Sequence, residues 1–243
     1  MKIALMTSFN QAYYDSYGKY LVNSFIKYWP KEVTLHVYNE DMDFITKASN
    51  IKPMGFNLGK NYEEFVTRPH KPRIKIFAKK AFSWLHACKN IDADRIIWID
   101  SDCQTIKTVP LSFLESIVPD DKLTAHMGIW YWDKKTRDGI VKLTDPIYCP
   151  ETGFNVINKN HALFKDFIEC YENYYMSDKG TELRRFYDND VFGAVVKSLP
   201  EKYFVELNPD SHKTPMRRTI LGEYFEHYKG KVKKNEDFSI KVK

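Results

Sequence analysis

Two aspartates, Asp100 and Asp102, stand one residue apart directly after the short apolar run Arg95–Ile99. A continuous apolar run indicates a strand that is covered on both faces, as in a central parallel sheet. Open α/β sheets bind ligands at the carboxyl ends of such strands. Two carboxylates there repel each other unless a cation compensates them, and Mn²⁺ or Mg²⁺ suits oxygen ligands. Asp-x-Asp is also common in solvated turns, but the strand context favours a metal site.

A second motif near the carboxyl terminus could complete the same site. His227, Gly230 and Lys233 have the spacing H-x-x-G-x-x-K. A histidine nitrogen is a suitable ligand for a borderline ion such as Mn²⁺. A glycine permits close approach of the backbone, and a lysine supplies a point charge for phosphate. Taken alone, the motif also fits a histidine on a solvated basic tail.

Strands and helices alternate along the chain, which predicts an α/β fold with a mixed, mostly parallel sheet flanked by helices. The predicted strands cover residues 3–6, 33–38, 95–99, 122–126, 154–157 and 203–207. The predicted helices cover residues 15–29, 73–89, 111–118, 161–176 and 188–199. Residues 50–72 are expected to be rich in loops, and residues 128–151 to form a loop that faces the substrate.

Composition narrows the functional classes. Hydrophobic residues make up 43% of the 243 residues, enough for a full core, and the net charge is only +5. That small charge gives little support to a nucleic-acid-binding module, although the lysine-rich tail keeps this alternative open. The four cysteines lack paired spacing, no signal peptide is recognised, and no apolar run reaches about 18 residues. We therefore expect a cytoplasmic protein without a transmembrane segment.

The order and spacing of the motifs resemble those of GT-A glycosyltransferases, especially the family 8 type and its small viral and bacterial relatives. The resemblance covers nearly the whole chain and is carried by Thr7-Ser8, Lys80, Trp98–Asp102, Glu151–Phe154, Asp188–Phe192 and His227–Lys233. It implies one GT-A (Rossmann-like) domain over residues 1–243, in which residues 229–243 form a basic tail that closes on the site. No break in composition marks a second domain.

The resemblance also implies an activity, that of a metal-dependent hexosyltransferase with a DxD motif. The cofactors would be Mn²⁺ or Mg²⁺ and a nucleotide-sugar donor, with a UDP-sugar favoured over a GDP-sugar. The acceptor would be a saccharide, a protein or a lipid-linked group, and the anomeric configuration would be retained. Nucleic acid is not an expected partner.

The roles that the resemblance implies for single residues fall into three groups. The metal ligands would be Asp100, Asp102 and His227. The donor would be bound by Thr7, Ser8 and Phe9 at the base and ribose, by Lys233 at the diphosphate, and by Lys80 or Arg73 near phosphate or sugar, with Ser101 and Gly230 as further donor-binding residues. The transferred sugar would lie close to Asp188 and Asn189, and Glu151 would orient the acceptor or act as a general base.

Two of these residues also have a purely structural interpretation. Asp188 stands where an N-cap of the following helix is expected, a role that stabilises a helix by about 1 kcal/mol and is compatible with a sugar contact. Glu151 could equally make an ordinary hydrogen bond at the start of a strand.

The chain departs from the family pattern at two places. Lys234-Asn235 stands where Pro-Trp often follows the last lysine, and Asn189 replaces the usual glutamine. The shorter amide places its carbonyl group differently, which leaves the stereochemistry of transfer open.

A metal-dependent nucleotidyltransferase could use the same aspartate pair and is the alternative enzyme. It normally has a Gly-rich phosphate loop after the first strand, and Thr7–Asn10 is not such a loop.

Overall fold

The computed structural model describes residues 1–128, 130–136, 139–177, 179–183, 185–208 and 216–228, with the backbone alone for 130–136 and 139–147. The strands are β1 (Ile3–Phe9), β2 (Thr34–Asn39), β3 (Ile51–Met54), β4 (Arg95–Ile99), β5 (Cys103–Thr105), β6 (Thr124–Met127), β7 (Trp130–Thr136), β8 (Gly139–Tyr148), β9 (Glu151–Asn158), β10 (Phe204–Glu206) and β11 (Phe225–His227). The helices are α1 (Gln11–Tyr13), α2 (Lys19–Tyr28), α3 (Lys60–Thr67), α4 (Pro72–Asn90), α5 (Leu111–Ile117), α6 (Phe164–Met176), α7 (Lys179–Glu182) and α8 (Asp188–Lys197).

Seven of these strands form one twisted layer in the order β10-β6-β9-β4-β1-β2-β3. The pairs β1–β2, β1–β4, β2–β3 and β6–β10 are parallel, whereas β9 runs antiparallel to both of its neighbours, β4 and β6. The predicted α/β class with a mixed, mostly parallel sheet is therefore confirmed. The helices α2, α4, α6 and α8 pack on its two faces.

Strand β4 shows why the apolar run before the aspartates is continuous. Ile97 and Ile99 join the core on the face covered by α2, which we call the first face. Ile96 and Trp98 join the core on the face covered by α4, α6 and α8, which we call the second face. All five residues of β4 are buried, so the strand is anchored from both sides. The aspartates that follow it are thereby fixed at the carboxyl edge of the sheet.

Two segments differ from the loops that the sequence predicts. Residues 50–72 contain β3 and α3, and residues 128–151 contain the antiparallel pair β7–β8, with Trp130 opposite Tyr148 and Thr136 opposite Gly139. Pro53 argues against a strand in the sequence, but β3 is an edge strand, where a residue without a backbone N–H is tolerated. The side chains of Trp130 and Trp132 lie outside the described residues.

The first helical region begins earlier than predicted. The side chain of Asn10 accepts a hydrogen bond from the backbone N–H of Tyr13 at 2.9 Å and so caps a turn before the predicted start. A π-helical turn, Tyr14–Gly18, then joins α1 to α2. Gly18 lies against the ring of Phe9, where a Cβ would be only 3.0 Å from a ring carbon. A larger residue there would push this turn away from β1.

A two-stranded antiparallel ladder brings the distant end of the described chain to the aspartates. Strand β5 directly follows them, and β11 pairs with β5 so that His227 stands opposite Cys103. Phe225 anchors β11, since it is fully buried and its ring lies 5.6 Å from that of Trp29 and 5.3 Å from that of Phe154. The fold therefore holds His227 at the sheet edge. In the described part of the chain, no helix is both long and apolar enough to cross a membrane.

Candidate functional site

The turn that carries the aspartates is fixed by backbone hydrogen bonds. The N–H of Asp100 donates to the carbonyl of Gly153 at 2.8 Å, and the N–H of Cys103 donates to the carbonyl of Asp100 at 2.9 Å. The carbonyl of Asp102 accepts from the N–H of Tyr228 at 3.0 Å. The turn is therefore tied to β9 on one side and to the residue after β11 on the other.

Asp102 and His227 face each other within this turn. Asp102 Oδ1 lies 3.1 Å from His227 Nε2, and both side chains are mostly buried, with 17% and 5% exposed. Burial disfavours the charged imidazole, but the hydrogen bond to Asp102 and the charge of Asp100 outweigh it and raise the pKa of His227. The opposite ring nitrogen, Nδ1, is buried and has no hydrogen-bond partner among the described residues.

The chemistry of these side chains suits a divalent cation. One ligand atom each from Asp102, Cys103 and His227 lie within 4.8 Å of one another. A carboxylate oxygen and an imidazole nitrogen match a borderline ion such as Mn²⁺, and their separation is compatible with both atoms binding one ion. Cys103 is buried, and burial together with nearby acidic groups raises the pKa of its thiol well above the usual value.

Asp100, the third predicted metal ligand, forms an ion pair with a lysine. Asp100 Oδ1 accepts hydrogen bonds of 2.6 Å from Lys80 Nζ and from Trp98 Nε1. Lys80 Nζ also donates to the carbonyl of Thr152 at 2.9 Å and lies 3.1 Å from Asp188 Oδ2. Asp188 Oδ2 accepts from the Thr152 hydroxyl at 2.6 Å. We call Lys80, Asp100, Thr152 and Asp188 the lysine network.

The electrostatics of the lysine network follow from its burial and its charges. Burial disfavours the ammonium of Lys80, but Asp100 and Asp188 more than compensate, so the pKa of Lys80 is raised. Burial also raises the pKa of Asp100, an effect that Lys80 opposes and the charge of Asp102 reinforces. The lysine thus remains charged and neutralises part of an acidic cluster that includes Asp102.

The structure corrects one prediction about Asp188. The N-cap of α8 is Tyr187, which makes no side-chain capping bond, and Asp188 is the first helical residue. Its carboxylate is 4% exposed and turns to Thr152 and Lys80 instead. Because α8 begins with this buried acid, the positive end of the helix dipole also stabilises the carboxylate. Sequence spacing alone does not distinguish the two positions.

The other predicted residues of the sugar site lie around α8 and β9. Asn189 Nδ2 donates to the sulfur of Cys149 at 2.8 Å. Glu151 begins β9, and its charge contributes to the raised pKa of His227. Arg73, by contrast, lies at the start of α4 with its guanidinium 5.0 Å from the ring centre of Tyr187.

Only some of the residues that were predicted to bind the nucleotide lie where a ligand could reach them. Thr7 is fully buried, with no hydrogen-bond partner for its hydroxyl among the described residues, and Phe9 is 1% exposed and packs against Phe44. Ser8 is partly exposed at the end of β1. Gly230 and Lys233 lie outside the described residues. Their roles therefore stay predictions.

A narrow cleft opens beside Asp102 and Ser101. It is lined by Ser16, Tyr17, Tyr20, Ser101, Asp102, Cys103, Gln104 and Tyr228. Sequence reasoning missed its three tyrosines. The available signals were the i, i+3 spacing of Tyr17 and Tyr20 and the position of Tyr228 next to the motif histidine, but tyrosines at helical spacing are common in cores.

The imidazole of His227 lies so close to Gly153 that a side chain at this position would displace the ring. A Cβ at this position would lie 2.6 Å from His227 Cε1, closer than atoms of the two residues can approach. We expect Gly153→Ala to displace the imidazole and to weaken Mn²⁺ binding by about 10-fold to 100-fold, the range seen when the support of a metal ligand is lost. Titration calorimetry with Mn²⁺ measures this.

A matched control for Gly153→Ala is Gly55→Ala, because no atom of the described residues lies within 4 Å of a Cβ built on Gly55. This control is expected to bind Mn²⁺ as the unmodified protein does. Equal Mn²⁺ affinity for both variants and the unmodified protein would contradict the role of Gly153.

No protein-family model and no curated protein matches the chain. Several solved structures are similar to the chain. The bifunctional glycosyltransferase WbbM is similar over 94% of this chain and 46% of its own, with a TM-score of 0.60 and 15% identity. The chain thus spans about half the length of WbbM.

Two further solved structures match over most of both chains. The galactosyltransferase LgtC, in complex with donor and acceptor sugar analogues, matches over 95% of this chain and 88% of its own, with a TM-score of 0.56 and 17% identity. Mouse xyloside xylosyltransferase 1 matches over 85% of each chain, with a TM-score of 0.54 and 10% identity. These likenesses confirm the GT-A-like fold and do not single out family 8.

Proposed function

We propose that the chain is a metal-dependent glycosyltransferase that moves a sugar from a nucleoside-diphosphate sugar to a saccharide, protein or lipid-linked acceptor. The observation that carries the proposal is the pairing of Asp102 with His227 at the rim of a tyrosine-lined cleft. This arrangement lies at the carboxyl edge of the sheet, where α/β folds bind ligands. The likeness in fold to LgtC, whose structure contains donor and acceptor sugar analogues, supports the same class of substrates.

A divalent cation would be held by Asp102 and His227, with Asp100 as a further ligand through Oδ2, because its Oδ1 accepts hydrogen bonds from Lys80 and Trp98. When bound, such a cation neutralises negative charge on the diphosphate leaving group. Carboxylate and imidazole together favour Mn²⁺, whereas Mg²⁺ would depend more on the carboxylates. His227 must be neutral to act as a ligand, so its proton leaves when it gives up its ion pair with Asp102.

The cleft beside Ser101 would receive the nucleotide. Tyr17, Tyr20 and Tyr228 line this cleft, and aromatic rings suit stacking on a base. The proposed donor is a UDP-sugar rather than a GDP-sugar, as the sequence resemblance implies. The resemblance is likewise the support for retention of the anomeric configuration.

The lysine network would position the transferred sugar. Lys80 is held by Asp100, Asp188 and Thr152, so its ammonium occupies a fixed position beside the aspartate turn. A cation fixed in advance can stabilise charge that develops on the departing diphosphate without reorganisation. Asp188 and Asn189, at the start of α8, would accept hydrogen bonds from sugar hydroxyls. Glu151 would orient the acceptor hydroxyl or accept its proton.

Nucleotide binding with and without metal tests the proposal. We expect UDP to bind measurably in titration calorimetry with Mn²⁺ present and to bind at least about ten-fold more weakly in EDTA, because the diphosphate then faces uncompensated carboxylates. A thermal-shift screen of UDP, GDP and their sugar conjugates under both conditions identifies the donor. Absence of binding by every nucleotide in the presence of Mn²⁺ and Mg²⁺ would contradict the proposal.

A further inference from the structure

A cationic and aromatic group of residues lies beside the lysine network and has no role in the mechanism above. The rings of Phe77 and Tyr187 have their centres 4.4 Å apart at an angle of 32°. The guanidinium of Arg73 lies 5.0 Å from the centre of Tyr187 and 5.8 Å from that of Phe77. We call Arg73, Phe77 and Tyr187 the arginine platform.

Residues of the arginine platform are close in sequence to residues of the lysine network, both on α4 and at the start of α8. Phe77 lies one turn before Lys80 on α4, and Tyr187 directly precedes Asp188. Lys80 and Asp188 are themselves only 3.1 Å apart. Arg73 and Lys80 are separated by seven residues, which is two helical turns or about 10 Å along α4. A ligand group bound at Arg73 would therefore lie about two helical turns from Lys80, along the same helix.

The arginine platform and the nucleotide cleft are carried by helices on opposite faces of the sheet. Tyr17 and Tyr20 of the cleft belong to the helical region that packs on the first face of the sheet. The platform belongs to α4 and α8, which pack on the second face. Because the proposed nucleotide cleft is carried by the first-face helices, the other substrate would approach from the second-face helices.

Arg73 is exposed, and among the described residues it makes no hydrogen bond and no ion pair. Stacking on an aromatic ring uses the face of the guanidinium and orients the group, which leaves its N–H donors for a planar or tetrahedral anion. Arg185, which pairs with Asp190, lies 5.3 Å from the ring centre of Tyr187 and adds positive charge nearby.

We propose that the arginine platform binds an anionic group of the acceptor, so that the acceptor is a saccharide carrying a carboxylate or a phosphate close to the accepting hydroxyl. This inference rests on the proposed function and deepens it. It gives Arg73 to the acceptor, whereas the sequence resemblance implies a contact with donor phosphate or sugar. A bidentate pair between the guanidinium and the anion provides the selectivity over neutral sugars.

Matched acceptors that differ at one anionic group test this inference. Methyl β-glucuronide is compared with methyl β-glucoside for a carboxylate, and glucose 1-phosphate with methyl α-glucoside for a phosphate. Their binding is measured by saturation-transfer NMR, which needs no turnover, and their KM values are measured in the transfer assay. We expect one charged member to bind about ten-fold more tightly than its neutral partner, and the pair that shows the preference identifies the anion.

Arg73→Gln should remove this preference, and Arg73→Lys should restore it in part because a lysine keeps the charge but not the bidentate geometry. Lys71→Gln is the matched control, since Lys71 is exposed two residues away and its side chain caps nothing. Equal binding of charged and neutral sugars, or equal losses in Arg73→Gln and Lys71→Gln, would overturn the inference. A changed donor KM in Arg73→Gln with unchanged acceptor binding would also overturn it. Failure of every nucleotide sugar to react would instead count against the proposed function, while the NMR comparison would still decide the inference.

Discussion

Asp102→Asn is expected to lower kcat/KM for sugar transfer by about a thousand-fold, the upper range for losing one preorganised electrostatic contact to the transition state. The amide keeps the shape of the carboxylate but removes its charge, so the partner of His227 no longer attracts a divalent cation. The fold should survive, because the backbone carbonyl of Asp102, which accepts from Tyr228, is unchanged. Initial rates over a Mn²⁺ series measure the effect, together with the melting temperature.

Asp121→Asn is the matched control for this variant. Asp121 is exposed, pairs only with Lys122 at 3.3 Å in the described structure, and precedes β6 at the opposite end of the sheet from the aspartate turn. Removal of its charge should leave both the rate and the Mn²⁺ dependence unchanged. If Asp102→Asn retained the rate of Asp121→Asn at every Mn²⁺ concentration, the assignment of Asp102 would be wrong.

Lys80→Met is expected to lower the free energy of unfolding at neutral pH by about 3 kcal/mol. Breaking a buried ion pair by removing one partner costs about 3–5 kcal/mol, and the lower end applies because 18% of Lys80 and 25% of Asp100 remain exposed. Methionine has a similar volume but leaves Asp100 and Asp188 as neighbouring carboxylates without a cation. Urea unfolding followed by circular dichroism measures the change.

The loss of unfolding free energy in Lys80→Met should become smaller as the pH falls. The pKa of Asp100 is already raised by burial, and removing Lys80 removes the charge that opposes this rise. A carboxyl group whose pKa is higher in the folded state binds its proton more tightly there, so acidification through that pKa favours the folded state. The difference between the variant and the unmodified protein should therefore be smaller at about pH 5 than at about pH 7.

Lys79→Met on the same helix provides the comparison for Lys80→Met. Lys79 pairs with Glu40 at 2.7 Å outside the lysine network, and its side chain is 33% exposed. Lys79 is more exposed than Lys80, and its removal leaves one carboxylate rather than two without a cation, so the loss should be smaller, about 1 kcal/mol. Equal losses in the two variants, or a Lys80→Met deficit that grows on acidification, would contradict the electrostatic account of the network.

Sequence reasoning succeeded where one residue pattern had one physical meaning. The continuous run of Ile96, Ile97, Trp98 and Ile99 predicted a strand covered on both faces, and all four residues are buried between two cores. It failed at Pro53, because a proline is excluded only from strands that are paired on both sides and the sequence does not show which strand lies at an edge. Neighbour order in the sheet depends on contacts between distant segments.

The site was predictable in its residue types but not in its pairings. The sequence pointed to Asp102 and His227 as partners, and the β5–β11 ladder places them 3.1 Å apart. The ion pair between Asp100 and Lys80 was not predictable, since a lysine on the flank of a helix could reach any of several acidic side chains. The same holds for Thr152, whose hydroxyl and carbonyl link Asp188 to Lys80 only because β9 runs beside β4.

The most direct test of the central claim is to identify the phosphorus-containing product by phosphorus NMR. The protein is incubated with Mn²⁺, a nucleotide sugar that protects it in the thermal-shift screen, and an acceptor, and the metal is removed with EDTA before the spectrum is recorded. We predict that the free nucleoside diphosphate accumulates in proportion to the glycosylated acceptor and that Asp102→Asn forms both about a thousand-fold more slowly. Release of pyrophosphate, or product formation in Asp102→Asn at the rate of the unmodified protein, would contradict the account.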